Sequence, residues 1–65
     1  MKLQLNGAMI ETQAKMLDGL LEEQGFTGAK IATAVNGEFV PASARATQSL
    51  SDGDLVEVLA PMQGG

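Results

Sequence analysis

The chain predicts an α+β fold, a mixed sheet of about five strands in the order β-β-α-β-β-β packed on one helix. Three observations carry that prediction. Two Asn-Gly pairs, Asn6-Gly7 and Asn36-Gly37, each separate short runs of strand character, and Asn-Gly is the strongest short-range hairpin signal because both turn positions need positive φ. Between them lies a single stretch whose apolar residues recur at helical spacing. Near the end, the run Leu55-Val56-Glu57-Val58-Leu59 follows an Asp52-Gly53 turn and has the apolar continuity of a central strand.

Each element has its own justification. Lys2-Leu3-Gln4-Leu5 alternates polar and apolar residues, as a half-buried strand does. Met9-Ile10-Glu11-Thr12 is then the returning strand. From Ala14 the period changes, placing Ala14, Leu17, Leu20, Leu21 and Gln24 on one helical face and Lys15, Asp18, Glu22 and Glu23 outside. Thr12 is the candidate N-cap, although Lys15 stands where a capping box places an acid. Gly19 costs this helix about 1 kcal/mol relative to Ala, so tertiary packing must hold it. Gly25 suits the C′ position, with Phe26 folding back on the last turn. Residues 31–35 and 38–40 form the second hairpin, ended by Pro41, which has no N–H for a ladder. Residues 42–49 are small and polar and read as a surface loop with room for one helical turn.

One helix must cover a sheet that both begins and ends the chain, and the last strand can lie parallel beside the first. That is the β-grasp arrangement. The core candidates are Leu3, Leu5, Leu17, Leu20, Leu21, Phe26, Ile31, Val35, Val56 and Val58. Leu55 and Leu59 alternate with Val56 and Val58, so they project from the opposite face, which one helix leaves to solvent or to a partner.

Composition narrows the function. Sixty-five residues make one domain, read as a globular part over 1–60 and a flexible tail over 61–65. A chain this short buries only about 60% of its unfolded surface. It has no Cys and no His, so disulfides and thiolate zinc sites are excluded and few groups remain for proton transfer near neutral pH. Eight acidic residues against four basic ones give a net charge of −4, which argues against nucleic acid and favours a partner with a basic docking surface. No signal segment or bilayer-spanning stretch is evident, so the expectation is a cytoplasmic protein, monomeric alone, with no membrane contact.

The sequence closes on Pro61-Met62-Gln63-Gly64-Gly65. Two residues without Cβ atoms make the thinnest thread a polypeptide can offer to a narrow active site. Taken alone, such an end reads first as a frayed terminus.

At this point the chain resembles the ThiS family, the ubiquitin-like sulfur-carrier proteins of thiamine biosynthesis. The likeness covers essentially the whole length. It rests on Leu5-Asn6-Gly7, Leu20-Leu21, Val35-Asn36-Gly37-Glu38-Phe39-Val40-Pro41, Leu50, Asp52-Gly53-Asp54-Leu55-Val56-Glu57-Val58 and the closing Gly64-Gly65. Each piece is common turn chemistry by itself; their joint order is specific. The chain departs from family habit at Gln13-Ala14-Lys15 and Ala44-Arg45-Ala46.

The resemblance implies a protein co-substrate and not an enzyme. A ThiF-like adenylating enzyme would use ATP and magnesium to activate the Gly65 carboxylate, with Gly64 beside it. Sulfur from a cysteine desulfurase route would give a thiocarboxylate, and a ThiG-like thiazole synthase would receive it. This chain itself would bind no cofactor and no metal. The residue chemistry agrees: an α-carboxyl has a pKa of about 3.5, so Gly65 is already an anion at neutral pH, and a β-carbon there would crowd the reacting carbonyl. Residues 61–65, extended, reach roughly 17 Å.

Pro61 stiffens the root of that tail and Met62 is its one sizeable apolar group. Met62, Leu59, Leu55 and Phe39 are the candidate partner contacts, with self-burial the open alternative for each. Glu57 and Asp54 read as solvated charges or as partners for basic residues. The alternatives by function are the small subunit of molybdopterin synthase, a lysine-conjugating modifier, and a β-grasp interaction module whose glycines do no chemistry.

Overall fold

A computed structural model describes residues 1–26 and 30–60 of the protein. Among these described residues the strands are β1 (Lys2–Leu5), β2 (Ala8–Glu11), β3 (Ala32–Val35), β4 (Glu38–Val40) and β5 (Leu55–Leu59), with one helix, α1 (Leu17–Glu23), and one 3₁₀ turn at Ala42–Ala44. They form one five-stranded sheet in the order β2-β1-β5-β3-β4. β5 runs parallel to β1 and antiparallel to β3, and the other two pairs are antiparallel hairpins. The expected mixed sheet is therefore present, with the last strand at its centre.

Both hairpins turn as their Asn-Gly pairs require. Asn6 and Gly7 lie at φ 51° and 84°, Asn36 and Gly37 at 52° and 84°. These left-handed values twist the two-residue loop in the sense of the strands it joins.

α1 lays Leu17, Leu20 and Leu21 onto the sheet, where they meet Leu3, Val35, Val40, Val56 and Val58, with Leu50 completing the buried cluster. Leu5, Phe26 and Ile31 lie only partly buried at its margin, and Gln24 is exposed. Val40 and Leu50 are core residues that sequence patterning passes over. Val40 sits at the end of the short edge strand, and Leu50 comes from a loop of small and polar residues, where it is the one large apolar side chain and turns inward.

The helix begins three residues later than its apolar period suggests, and Thr12 is not its cap. Met16 is the N-cap, in extended geometry and without a side-chain hydrogen bond. The first helical N–H groups, which have no partner inside the helix, donate to loop carbonyls instead: Leu17 to Gln48 at 2.9 Å and Asp18 to Arg45 at 3.1 Å. Leu50 N–H returns a bond to Lys15 O at 2.9 Å, and Met16 pairs with Ser49 as an isolated antiparallel bridge. The 45–50 loop thus takes the place of a capping side chain.

The far end of α1 follows its sequence signal. Gly25 takes φ 86°, Phe26 N–H bonds to Leu21 O at 2.8 Å and Gly25 N–H to Glu22 O at 3.1 Å. Those two bonds make a Schellman motif. The two buried hydroxyls are also satisfied. Thr33 donates to Val40 O at 2.8 Å while accepting from Arg45 Nε at 3.1 Å, and Thr12 accepts from Ala14 N–H at 3.0 Å.

Candidate functional site

Of the seven residues singled out from sequence, four (Pro61, Met62, Gly64 and Gly65) lie outside the described residues. The other three, Phe39, Leu55 and Leu59, fall together on the sheet face opposite α1. Alternation along β5 sends Val56 and Val58 into the core and leaves Leu55, Glu57 and Leu59 exposed, as the period of a strand dictates. Register then aligns the neighbours in rows: Met9, Gln4 and Leu55 in one, Phe39, Ala34 and Glu57 in the next, and Ala32 beside Leu59 in the third.

Four large apolar side chains stand on this face: Phe39 and Leu59 are each 69% exposed, Met9 61% and Leu55 48%. Isolated exposed apolar residues are ordinary, whereas a cluster of them on one face marks an interaction surface. Met9 joins the set only through register. Its signal in the sequence is its alternation with Ile10, which turns toward the core.

The small side chains of Ala32 and Ala34 lower the middle of the face. Phe39 and Leu59 rise on either side, and the result is a shallow depression of about 130 Å³ whose lining also includes Glu57 and Thr33. An apolar side chain of a partner fits such a hollow, and Glu57 at its rim can pair with a cation beside it. Asp54 is committed within the chain. Its Oδ2 accepts from Ser51 N–H at 2.8 Å and its Oδ1 from Asn36 Nδ2 at 3.0 Å.

β5, the strand that leads to residue 61, is held from both sides. On the β3 side, Asn36 N–H donates to Leu55 O at 2.7 Å and Asn36 Oδ1 accepts from Leu55 N–H at 3.0 Å. On the β1 side, Asn6 N–H donates to Val56 O at 2.9 Å. The Asn6 side chain then takes Val58, accepting its N–H at 2.8 Å and donating to its C=O at 3.2 Å. Both hairpin asparagines therefore serve twice, as turn residues and as side-chain extensions of the ladder. The Asn-Gly signal in the sequence predicts the first role and is silent on the second.

Among the described residues no group of three or more His, Cys, Asp or Glu could hold a metal ion, and no helix is long and apolar enough to cross a membrane. Glu23, whose carboxyl pKa is lowered by hydrogen bonds from Thr12 and Gln13, sits at the end of α1, which packs on the other side of the sheet. The described part of the molecule offers a surface and a strand hydrogen-bonded on both sides, not a constellation of reactive side chains.

Comparison with known proteins points one way. The family model described as the ThiS family matches residues 3–65. Across 66 aligned residues, covering its full length, the chain is 39% identical to a segment of a thiazole synthase from Paramagnetospirillum magneticum. It spans only 20% of that protein. The crystal structure of the thiamine biosynthesis protein ThiS from Geobacter metallireducens is similar over 100% of both chains, with a TM-score of 0.84 and 29% identity.

Proposed function

The chain belongs to the ThiS family, and from that premise we propose that it is a sulfur carrier for the thiazole of thiamine, with Gly65 as the residue that is charged and discharged. The Gly65 carboxylate attacks the α-phosphorus of ATP in a ThiF-like enzyme, pyrophosphate leaves, and an acyl-adenylate forms. A sulfide equivalent drawn through a cysteine desulfurase then displaces AMP from the carbonyl carbon, leaving a thiocarboxylate. A thiazole synthase takes the sulfur.

One observation carries this reading: a stretch similar to the whole of this chain lies within a protein named thiazole synthase. Two functions joined in one polypeptide are commonly partners when separate, which favours thiazole over molybdopterin as the destination. The family match runs through residue 65 and so includes Gly64 and Gly65. Within the chain the labour divides simply. Phe39, Leu55 and Leu59, joined by Met9, dock against the activating enzyme and then the synthase. Pro61 and Met62 set the tail at the mouth of the partner's site. Gly64 and Gly65 pass inside, where a carboxylate that is already ionised at neutral pH needs no base from this chain.

Intact-mass measurement tests the proposal. Protein taken from cells, or incubated with the adenylating enzyme, ATP, magnesium and a desulfurase system, should show a fraction with one oxygen replaced by sulfur at residue 65. A single unmodified species under both conditions would rule the carrier role out.

A further inference from the structure

The polar groups of Val58 on the β1 side of β5 have no strand beside them. The β1–β5 ladder pairs Gln4 with Leu55 and Leu5 with Val56, and then β1 turns away at Asn6. One backbone bond, Asn6 N–H to Val56 O, closes that ladder. Beyond it the next donor and acceptor in line are Val58 N–H and Val58 C=O. The Asn6 carboxamide meets both, at 2.8 and 3.2 Å. A primary amide carries the same donor and acceptor as a peptide group, so the side chain acts as one further strand residue that β1 itself lacks. Its partner lies 52 residues away in sequence, and only Leu59 and Ala60 separate that partner from residue 61.

We propose that Asn6 is a positioning residue for the end of β5: its amide holds the β1-side edge of the strand at Val58 while Thr33 and Ala32 pair with Val58 and Leu59 on the β3 side, steadying the strand end from which Gly65 is presented to the partner. The inference rests on the sulfur-carrier reading, because it assigns Asn6 a share in delivering Gly65. Placement of a reacting group is worth large rate factors; β5 is paired with β3 through Leu59, and on its β1 side the edge at Val58 is met by the Asn6 amide. Asn36 provides an internal comparison. It occupies the same turn position at the same φ and also clasps β5 through its side chain, but at Leu55, where the strand begins.

The test is a pair of variants, Asn6→Gly and Asn36→Gly. Glycine keeps the positive φ of each turn and removes only the amide. Each protein is followed by amide hydrogen exchange and by carrier-dependent ATP–pyrophosphate exchange with the cognate adenylating enzyme. In Asn6→Gly, exchange at Val58 should accelerate about fivefold to tenfold, the worth of a net hydrogen bond. The kcat for activation should fall by about tenfold at unchanged KM, because the docking face is untouched. In Asn36→Gly, Leu55 should lose protection while kcat stays at the wild-type value.

Equal kcat values for wild type and Asn6→Gly overturn the assignment, as does a rise in KM alone or an equal loss of kcat in both variants. Should Asn6→Gly fail to fold, Asn6→Asp is read the same way. It keeps an acceptor for Val58 N–H and sets an oxygen against Val58 C=O, so lowered kcat at constant KM supports the role and wild-type kcat removes it. Failure of wild-type protein to support any exchange overturns the carrier reading and the positioning role with it, whereas active wild type with indifferent variants overturns the positioning role alone.

Discussion

The Thr12 hydroxyl donates to Glu23 Oε1 at 2.5 Å, tying the segment that follows β2 to the last turn of α1. Gln13 N–H donates to the other carboxylate oxygen at 3.2 Å. Both bonds favour the ionised acid, the Thr12 bond most, and they hold the Glu23 carboxyl below the ordinary glutamate range. A depressed folded-state pKa adds stability that is present above the unfolded value, about 4.3, and is lost as pH falls through the folded one. Urea titrations of wild type and Glu23→Gln should therefore differ most near neutral pH. The difference should shrink as pH drops through that window and vanish once both states are protonated. A constant offset across pH would show that the ionised carboxylate plays no part.

Gly19 is a removable weakness. A Cβ built there meets only the Ala14 Cβ, at 3.5 Å, an ordinary contact. Gly19→Ala should stabilise the domain by about 0.5–1 kcal/mol, raising Tm by about 4–8 °C per kcal/mol in a domain of this size. Thermal melts followed by far-ultraviolet circular dichroism measure it. An unchanged or lower Tm would mean that this turn of helix has no room to give.

Leu50 should behave as a core residue despite its loop address. It is buried against the α1 leucines and valines of the sheet, so Leu50→Ala should cost about 2–5 kcal/mol, a large share of a small domain's stability. Chemical denaturation should show a sharply lowered midpoint. A loss within the scatter of surface substitutions, about 0.5 kcal/mol, would place Leu50 outside the core.

On the open face the expectation reverses. Leu59→Ser and Phe39→Ser remove exposed apolar surface, so Tm should hold near the wild-type value. The apparent KM of the adenylating enzyme for the carrier should rise by about tenfold or more if these side chains anchor the contact. Wild-type KM in both variants would move the docking surface elsewhere.

Gly65→Ala isolates the terminal chemistry. The melt should match wild type, while ATP–pyrophosphate exchange and thiocarboxylate formation collapse, because the added methyl crowds both the carboxylate oxygen that attacks the α-phosphorus of ATP and the carbonyl carbon at which sulfur then displaces AMP. Normal exchange would remove the steric case for glycine at that position.

Most of this architecture is legible in the sequence because it is written in local code. The Asn-Gly pairs need positive φ, Gly25 is built for a helix end, and the alternation of Leu55 to Leu59 separates core from open face. What escapes local reading is supplied by distant chain. The start of α1 is set by carbonyls of Gln48 and Arg45 that no window around Thr12 contains. Thr12 looks like a cap and instead spends its hydroxyl on Glu23. Val40 and Leu50 are buried by neighbours far away in sequence, and Met9 joins the exposed cluster only through its register with Gln4 and Leu55. Gly64 and Gly65 are legible as chemistry alone, through their lack of side chains, and the tail lies outside the described residues.

The central place of β5 has a consequence for biosynthesis. Among the described residues β1–β2 and β3–β4 share no ladder with each other; each hairpin reaches the common sheet through β5, which follows both in the chain. A nascent chain that has not yet released Leu55 to Leu59 from the ribosome holds two separate ribbons, and isolated ribbons are marginal in water. Completion of this sheet must wait for β5, so a product terminated before Leu55 never displays the completed surface. An enzyme that recognises that surface would thereby meet only molecules whose β5 has been made before committing ATP to them.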